Sequence, residues 1–254
     1  MLGRLWIGAL LAICVLVLVG ATNGPEAQVQ LTIAVNGKGT VTGGPRRVEC
    51  RGSCTRSSTN YVFRVKPGST YSLKARAANA YKFTGWKGAC RGSKPTCVVR
   101  VQRTTRVSAT FVAPGAKTNP IPFRATADVG QGFKLRVNSV TPDATDLFGP
   151  NFRPPPGAQP YMALITVTYT GGGKGSVAYF RNHLWAQGSN NVKYDFDNDY
   201  CGPWPEPSLQ YAGDLFSGQS VTGNVCFMIA SNDAASLMFF TETEYQQQVW
   251  FALR

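Results

Sequence analysis

The sequence contains few of the side chains on which most catalytic centres depend. Its 254 residues include one histidine, His183, and 13 aspartate and glutamate residues. A lone histidine without a positioned nucleophile and a third group does not make a catalytic triad. The sequence also lacks the His-Glu-x-x-His motif of zinc hydrolases and the Gly-x-Ser-x-Gly motif of serine hydrolases. We therefore expect a protein that is not an enzyme and that needs no cofactor.

Acidic residues are scarcest in the first half of the chain. Residues 22–118 contain 17 lysines and arginines against two acids, Glu26 and Glu49, which gives a net charge of +15. Residues 119–254 contain 8 basic and 11 acidic residues, which gives a net charge of −3. Such an asymmetry is typical of two units with different partners. At about 95 and 130 residues, each unit is long enough to bury a core of its own.

Long apolar runs are also missing, except at the N-terminus. Arg4 precedes an almost unbroken apolar run over residues 6–19, and the small residues Gly20 and Ala21 follow it. This layout predicts a secretory signal peptide over residues 1–21, cut after Ala21, and therefore a secreted or surface-associated protein. An uncleaved membrane anchor is the alternative, although the run is shorter than the about 20 residues of a typical span.

Six cysteines remain beyond the predicted signal peptide: Cys50, Cys54, Cys90, Cys97, Cys201 and Cys226. An even number of cysteines after an export signal is typical of a disulfide framework, because the destination is oxidising. Their spacing fits a zinc site poorly, and the single histidine is distant. Local pairs Cys50–Cys54 and Cys90–Cys97 are our inference, since four cysteines allow three connectivities. Cys201–Cys226 would tether a long loop to a core strand.

Apolar residues alternate with polar ones along most of the chain, and turn residues interrupt them, which predicts β-strands. In the first half, Asn36-Gly37 favours a type I′ hairpin. Strands are expected on both sides of Pro67-Gly68. Residues 113–122 contain three prolines and predict a linker in which a strand ladder cannot continue.

In the second half, seven or eight short strands with turns between them suggest an immunoglobulin-type β-sandwich. The predicted strands lie near residues 133–137, 161–170, 176–180, 182–187, 192–196, 220–229, 237–241 and 248–253. The expected fold class is therefore all-β, with a small disulfide-stapled β module followed by an immunoglobulin-like antiparallel β-sandwich.

A set of motifs in residues 29–112 identifies a resemblance. These motifs are Leu31-Thr32-Ile33, Gly37-Lys38-Gly39, Cys50-x3-Cys54, Tyr71-x-Leu73-x-Ala75, the segment from Tyr81 to Cys90 that contains Gly85-Trp86, Cys97-x-Val99 and Val107-x-Ala109-x-Phe111. With them, the basic module over residues 29–112 resembles the divergent internalin-type bacterial repeat of exported surface proteins. The resemblance implies a small β-rich module for display, spacing or adhesion, without catalytic residues.

A second set of motifs lies in residues 123–254. It consists of Tyr161-x-Ala163-x-Ile165-x-Val167-x-Tyr169, Leu184-Trp185, Val192-x-Tyr194, the segment from Leu215 to Phe227 and Val249-Trp250-Phe251. Residues 123–254 thereby resemble the telokin-like domain of unknown function of secreted immunoprotective proteins. The resemblance implies an immunoglobulin-like sandwich with an uncharacterised binding role. The Pro154-Pro155-Pro156 stretch and the loop 197–211 are larger than such a fold requires.

The basic residues of the first module predict an anion-binding surface. If the strands around Pro67-Gly68 form a hairpin, four of these residues share a face, and four others surround the Cys50–Cys54 loop. Crowded like charges repel one another unless a partner offsets them. The expected partner is an anionic envelope polymer or an acidic lipid surface, while solubility or docking onto the acidic half are the alternatives. The candidates are Arg46, Arg47, Arg51, Arg56, Arg64, Lys66, Lys74 and Arg76.

No specific nucleic acid is expected as a partner. Stacking on bases needs exposed aromatic residues among the charges. The available candidates, Tyr61, Tyr71 and Tyr81, fit the inward side of their strands equally well.

One segment has the character of a calcium site. With Asp195 as position 1, Asp197, Asp199 and Glu206 occupy positions 3, 5 and 12 of a calcium loop. Position 6, however, is Tyr200 rather than glycine, and a strand with a solvated acidic face is the simpler interpretation.

Two further patterns have simple structural interpretations. The glycine-rich segment 171–176 favours a hairpin turn over a phosphate loop, since Gly175 follows Lys174 and no helix pattern follows. Phe148, Phe152 and Trp204 are expected to plug their own loops into the core rather than to form a recognition surface.

The function that we expect is a non-catalytic surface or envelope protein. Its basic module would bind or space from an anionic polymer, and its sandwich would contact an unidentified protein or ligand. One alternative is an envelope hydrolase acting through carboxylates of the second half, since a glycosidase needs only two. The other is a purely structural surface protein.

Overall fold

The computed structural model of the protein describes residues 27–50, 58–196, 198–243 and 247–254. The predicted signal peptide lies outside these residues. None of the helices in the described ranges is long and apolar enough to span a membrane. The first module contains β1 (Val29–Asn36), β2 (Gly39–Thr42), β3 (Val48–Glu49), β4 (Ser58–Val65), β5 (Ser69–Ala77), β6 (Lys82–Gly88), β7 (Thr96–Val101) and β8 (Thr105–Val112).

These eight strands form two four-stranded sheets around one core. The strand orders are β4-β1-β8-β6 and β3-β2-β5-β7. Every described strand pair in them is antiparallel except β1 and β8, which run parallel. The alternating apolar residues of both sheets point inward, and Leu31, Ile33, Leu73 and Val107 are fully buried there. Burial of each such side chain contributes roughly 1.5–3 kcal/mol.

Two turns of the first module connect different sheets, so the hairpin predicted at Asn36-Gly37 is wrong and the condition of a hairpin around Pro67-Gly68 is not met. After Asn36-Gly37 the chain passes from β1 into β2, and after Pro67-Gly68 it passes from β4 into β5. The alternation of apolar and polar residues fits a hairpin and a corner between sheets equally well, because the inward residues of two facing sheets meet in one core. At Gly37 the corner requires a glycine, since φ is +80° and a Cβ there would lie 1.8 Å from the carbonyl oxygen of Phe111.

The described residues of the second module form ten strands and one α-helix. They are β9 (Thr126–Gly130), β10 (Phe133–Thr141), β11 (Ala158–Tyr169), β12 (Lys174–Ser176), α1 (Val177–Asn182), β13 (Leu184–Gln187), β14 (Lys193–Tyr194), β15 (Asp214–Phe216), β16 (Ser220–Ala230), β17 (Met238–Glu242) and β18 (Gln248–Ala252). The sheets β16-β11-β10-β9 and β14-β13-β17-β18 are accompanied by the ribbon β12-β15. Single 3-10 turns lie at Thr145–Phe148 and Ser231–Asp233.

The two larger sheets of the second module enclose an aromatic-rich core. Ile165 and Phe227 of one sheet and Phe239 and Phe251 of the other are almost completely buried in it. The rings of Phe227 and Phe239 meet with centroids 5.4 Å apart. The predicted fold class, an all-β chain with a small disulfide-stapled module before an antiparallel β-sandwich, is confirmed.

One predicted strand of the second module is wrong. The strand expected near residues 176–180 is the helix α1, in which Ser176 caps the N-terminus by accepting a hydrogen bond from the Tyr179 amide. Val177 and Phe180 both enter the core, which is the i, i+3 spacing of a helix rather than the alternation of a strand. Over six residues the two periodicities are difficult to distinguish.

Residues 113–122, which we call the connector, pair with the second module. The Ile121 amide donates to Trp250, the Ala252 amide donates to Ile121, and the Trp250 amide donates to Gly115. Its prolines do not prevent this pairing, since the intervening residues keep their amide donors. The connector also contacts the first module, because the Asn119 side chain donates to the carbonyl oxygens of Ala80 and Val112.

Candidate functional site

A cationic cavity of about 500 Å³ lies at one edge of the sheet β3-β2-β5-β7. Lys38 reaches it from the corner between β1 and β2, Arg47 from the segment before β3, and Arg76 from β5. The register explains part of this arrangement, since Thr40 pairs with Glu49 on one side and with Arg76 on the other. Residues far apart in the sequence therefore share one site on the outer face of the sheet.

The charges around the cationic cavity are incompletely neutralised. Arg47 Nη2 lies 3.5 Å from Glu49 Oε2, and both side chains are more than half exposed. An exposed pair of this kind contributes at most about 1 kcal/mol. Glu49 is the one acid among the described residues 27–50 and 58–118. Lys38 and Arg76 thus have no carboxylate partner within those ranges, and the cavity keeps a surplus of positive charge.

The structure brings together only some of the predicted anion-binding residues. Arg47 and Arg76 line the cationic cavity, and exposed Arg46 adjoins Arg47 in the chain. Lys74 shares the outer face of β5 with Arg76, whereas Arg64 belongs to the opposite sheet. Lys66 follows β4 directly, at the start of the corner into β5. Arg51 and Arg56 lie outside the described residues.

Lys38 is the cavity residue that the sequence analysis missed. Its position directly after Asn36-Gly37 was a usable signal, because a residue at a sheet-to-sheet corner is displayed at the edge of the sandwich. The signal was lost when this turn was interpreted as a hairpin.

Two of the three predicted disulfides are confirmed. Cys90–Cys97 and Cys201–Cys226 are bonded, with Cα atoms 6.0 and 5.9 Å apart. Cys50, which lines the cationic cavity, is also disulfide-bonded. Its predicted partner Cys54 lies outside the described residues.

The described carboxylates of the predicted calcium loop accept hydrogen bonds from residues of the same loop. Asp199 accepts from the Asp195 amide, and Asp195 accepts from both the amide and the side chain of Asn198. Glu206 accepts from the Ser208 amide. Burial raises the pKa of Asp199, and the nearby charge of Asp195 acts in the same direction. Asp197 lies outside the described residues, and the remaining ones contain no cluster of three metal-ligating side chains.

The glycine-rich segment 171–176 leads into α1, contrary to the expectation that no helix follows it. Lys174 belongs to β12 and forms an ion pair of 2.6 Å with Asp214. This pair raises the pKa of Lys174. Because β12 pairs with β15 and not with the preceding β11, the hairpin turn predicted for this segment is also wrong.

His183 ends α1, and its environment is aromatic. The imidazole stacks on Tyr179 with centroids 4.0 Å apart, and its Nδ1 lies 2.8 Å from the Tyr179 carbonyl oxygen. These contacts give it a structural role at the helix end.

Two of the three loop aromatics, Phe148 and Trp204, pack on the core as expected, although Trp204 also lines a cavity, whereas the Phe152 ring stacks on Phe148 rather than on the core. Trp204 is 6% exposed and packs on Phe196 with centroids 5.1 Å apart. Phe148 packs against the core and stacks on Phe152 at 4.6 Å.

Comparisons with known proteins identify the first module. The family model of the divergent InlB B-repeat domain matches residues 29–115. This match confirms the first of the two resemblances and shows that a bacterial repeat-type domain occupies residues 29–115, about a third of the chain. The telokin-like resemblance of the second module stays a prediction.

No curated protein matches the chain. Among solved structures, the yjhA protein from Bacillus subtilis is 13% identical with a TM-score of 0.35, covering 52% of this chain and 98% of its own. A conserved hypothetical protein from Bacillus anthracis is 9% identical with a TM-score of 0.37, covering 52% of this chain and 94% of its own. At these TM-scores neither similarity informs the function.

Proposed function

We propose that the chain is a non-catalytic bacterial surface or envelope protein whose repeat-type module binds an anionic polymer through the cationic cavity. The observation that carries this proposal is that Lys38, Arg47 and Arg76 lie around one cavity, with Glu49 as the single acid among its described lining residues. Arginine forks suit phosphate and carboxylate groups, and charge-assisted hydrogen bonds are the stronger ones.

The disulfides support an extracellular setting for this function. Each module contains a disulfide bond, and disulfide bonds form and persist in an oxidising compartment. There, a module of net charge +15 faces the phosphates and carboxylates of envelope polymers. Residues 1–21 would supply the export signal.

The charge in the rest of the module supports binding of an extended polymer rather than of one small anion. Lys74 and Arg100 continue the outer face beyond Arg76, since both point outward from the same sheet. A polymer can contact several such cations at once. Each contact that forms raises the effective concentration of the remaining anionic groups at the other cations, so the overall affinity increases.

The test uses the full-length protein and inorganic polyphosphate as the polyanion. Replacing Lys38, Arg47 and Arg76 by Gln should weaken polyphosphate binding by at least tenfold, because the loss of even one charge-assisted contact costs about 1.5 kcal/mol or more. Calorimetry at two salt concentrations measures the affinity and its expected decrease with salt.

The matched control removes three charges elsewhere in the module. Arg64, Lys87 and Arg103 are exposed and do not line the cavity. Equal losses in both triple variants would show that net charge rather than the cavity determines binding. Binding to phosphatidylglycerol vesicles without binding to polyphosphate would show that the anionic partner is a lipid surface and not a polymer.

A further inference from the structure

A second cavity, in the other module, has a different chemistry. We call it the aromatic cavity; its volume is about 400 Å³, within the range of small-ligand sites. It lies between the end of α1 and the long loop before β15. Its principal lining side chains are Arg181, Asn182, Tyr200, Trp204, Gln210 and Tyr211.

The loop that forms this cavity is held in place by several independent contacts. The Cys201–Cys226 disulfide ties it to β16, and the Met228 amide donates to the backbone carbonyl oxygen of Asp199 at 2.8 Å. The Asn224 side chain donates to the Pro205 carbonyl oxygen at 2.9 Å. A site formed in advance of binding loses less conformational entropy when a ligand enters.

Two tyrosine rings stand out from this fixed loop. Tyr200 is 46% exposed and Tyr211 is 81% exposed. Gln210 orients the first of them, since its side-chain amide donates to the Tyr200 hydroxyl at 2.9 Å. Large exposed rings beside a cavity offer flat apolar faces together with hydroxyl groups, which suits an amphipathic ligand.

Arg181 is the one charged side chain among the described residues that line the aromatic cavity. Its Nη1 donates to the Gln210 carbonyl oxygen, and its Nε and Nη2 lie 3.4 and 3.5 Å from Asn182 Oδ1. No carboxylate in the described part of the chain pairs with it. A guanidinium group has five N–H donors, so one remains on each terminal nitrogen.

These groups together select the ligand. The free donors of Arg181 match a carboxylate, which accepts two parallel hydrogen bonds. The positive charge disfavours a cation in the aromatic cavity. The tyrosine faces match the C–H surface of a pyranose ring, and the tyrosine hydroxyls and the Asn182 amide match its hydroxyl groups. We propose that the aromatic cavity binds a saccharide that carries a carboxylate, with the carboxylate on Arg181 and the ring against Tyr211.

The experiment uses the full-length protein with a galacturonic acid oligosaccharide and its methyl ester as the neutral control. Calorimetry should show that the acid binds roughly tenfold or more tightly than the ester, the difference expected for one charge-assisted pair. Arg181→Gln should remove this difference between the acid and the ester. Arg136→Gln, which removes an exposed arginine of the same module outside the cavity, should keep it.

Because Arg181 also supports the loop, Arg181→Gln could disturb the fold of the cavity. A second variant therefore tests the proposal independently. Tyr211→Ala alters a side chain that is 81% exposed, and it should weaken acid and ester alike. Phe216→Ala, another exposed ring outside the cavity, should weaken neither.

Two outcomes overturn the proposal: equal affinity for acid and ester, or no binding of any member of a panel of uronic, muramic and sialic acid saccharides. Neither outcome affects the polyanion proposal, because polyphosphate contains no sugar and the cationic cavity lies in the other module.

Discussion

The side chain of Asp233 is fully buried, yet it has donors for its carboxylate oxygens. Tyr194 donates its hydroxyl at 2.8 Å and the Asn190 amide donates at 2.9 Å. Gly188 makes room for this group, since a Cβ at that position would lie 2.4 Å from Asp233. A buried carboxylate is tolerated only when hydrogen bonds replace its hydration. These contacts therefore tie the turn after β16 to the β13–β14 connection.

Tyr194→Phe should reduce the free energy of unfolding by about 1–3 kcal/mol, because Asp233 would lose a buried donor. Chemical denaturation at neutral pH measures this loss. Tyr211→Phe, which changes an exposed phenol, is the control and should have no effect. An unchanged stability of Tyr194→Phe would show that the contact contributes nothing.

The same tyrosine predicts a loss of stability at alkaline pH. Burial raises the pKa of Tyr194 from 10.0 to about 12, and its hydrogen bond to Asp233 adds to this effect. Folding thus favours the protonated phenol, so its contribution is complete below pH 10 and is lost as pH rises through about 12. Burial raises the pKa of Tyr161 to about 12 as well. Tyr194→Phe should therefore reduce, but not abolish, the alkaline loss measured by denaturation at increasing pH.

At the scale of elements, the loop of residues 195–213 depends on its disulfide. Cys201 and Cys226 are separated by 25 positions and Cys90 and Cys97 by 7. In the chain-entropy description the longer closure contributes about 3.5 kcal/mol and the shorter about 2.5 kcal/mol. Replacing Cys201 and Cys226 by Ser should thus lower the free energy of unfolding by about 1 kcal/mol more than replacing Cys90 and Cys97.

The same two double variants distinguish the effect of a disulfide on the shape of the aromatic cavity from its effect on the stability of the protein. Loss of Cys201–Cys226 should also weaken saccharide binding, because the loop forms the aromatic cavity. Loss of Cys90–Cys97 should leave that binding intact. The reverse order of stabilities would show that contacts other than loop closure dominate.

Elements also show where sequence patterns predict well and where they do not. The strands β16, β17 and β18 were predicted within a residue or two, because each carries a short continuous run of apolar residues. α1 was not, since it has only Val177 and Phe180 to show its period. The two corners after β1 and β4 were interpreted as hairpins, because a turn sequence specifies a reversal of the chain and not the sheet that receives it.

At the scale of the whole molecule, the connector is part of the second module's architecture. Lys117 Nζ lies 4.9 Å from the Trp250 ring centroid and donates to Gln187 at 2.6 Å. Trp250 stacks on Phe240, whose ring adjoins Trp185 on the outer face of the sheet. Lys117 thus lies over an aromatic row on that outer face.

A fragment that begins at Ala113 should consequently be more stable than one that begins at Arg124. Ile121 is 9% exposed, and loss of its burial alone costs about 1.5–3 kcal/mol. Thermal and chemical unfolding of the two fragments measure the difference. Equal stability would mean that the connector only bridges the modules.

The sequence by itself determined the all-β class and the separation of charge, because these follow from local alternation and residue counts. It only suggested the cysteine pairs, since spacing leaves three connectivities for the four cysteines of the first module. It also contained Arg47 and Arg76 among its candidates. Only the tertiary structure decided that Arg76 meets Lys38 and Arg47 while Arg64 lies on the opposite sheet, because strand pairing between distant segments sets which outward side chains become neighbours. The aromatic cavity likewise arises from the contact of a helix end with a distant loop.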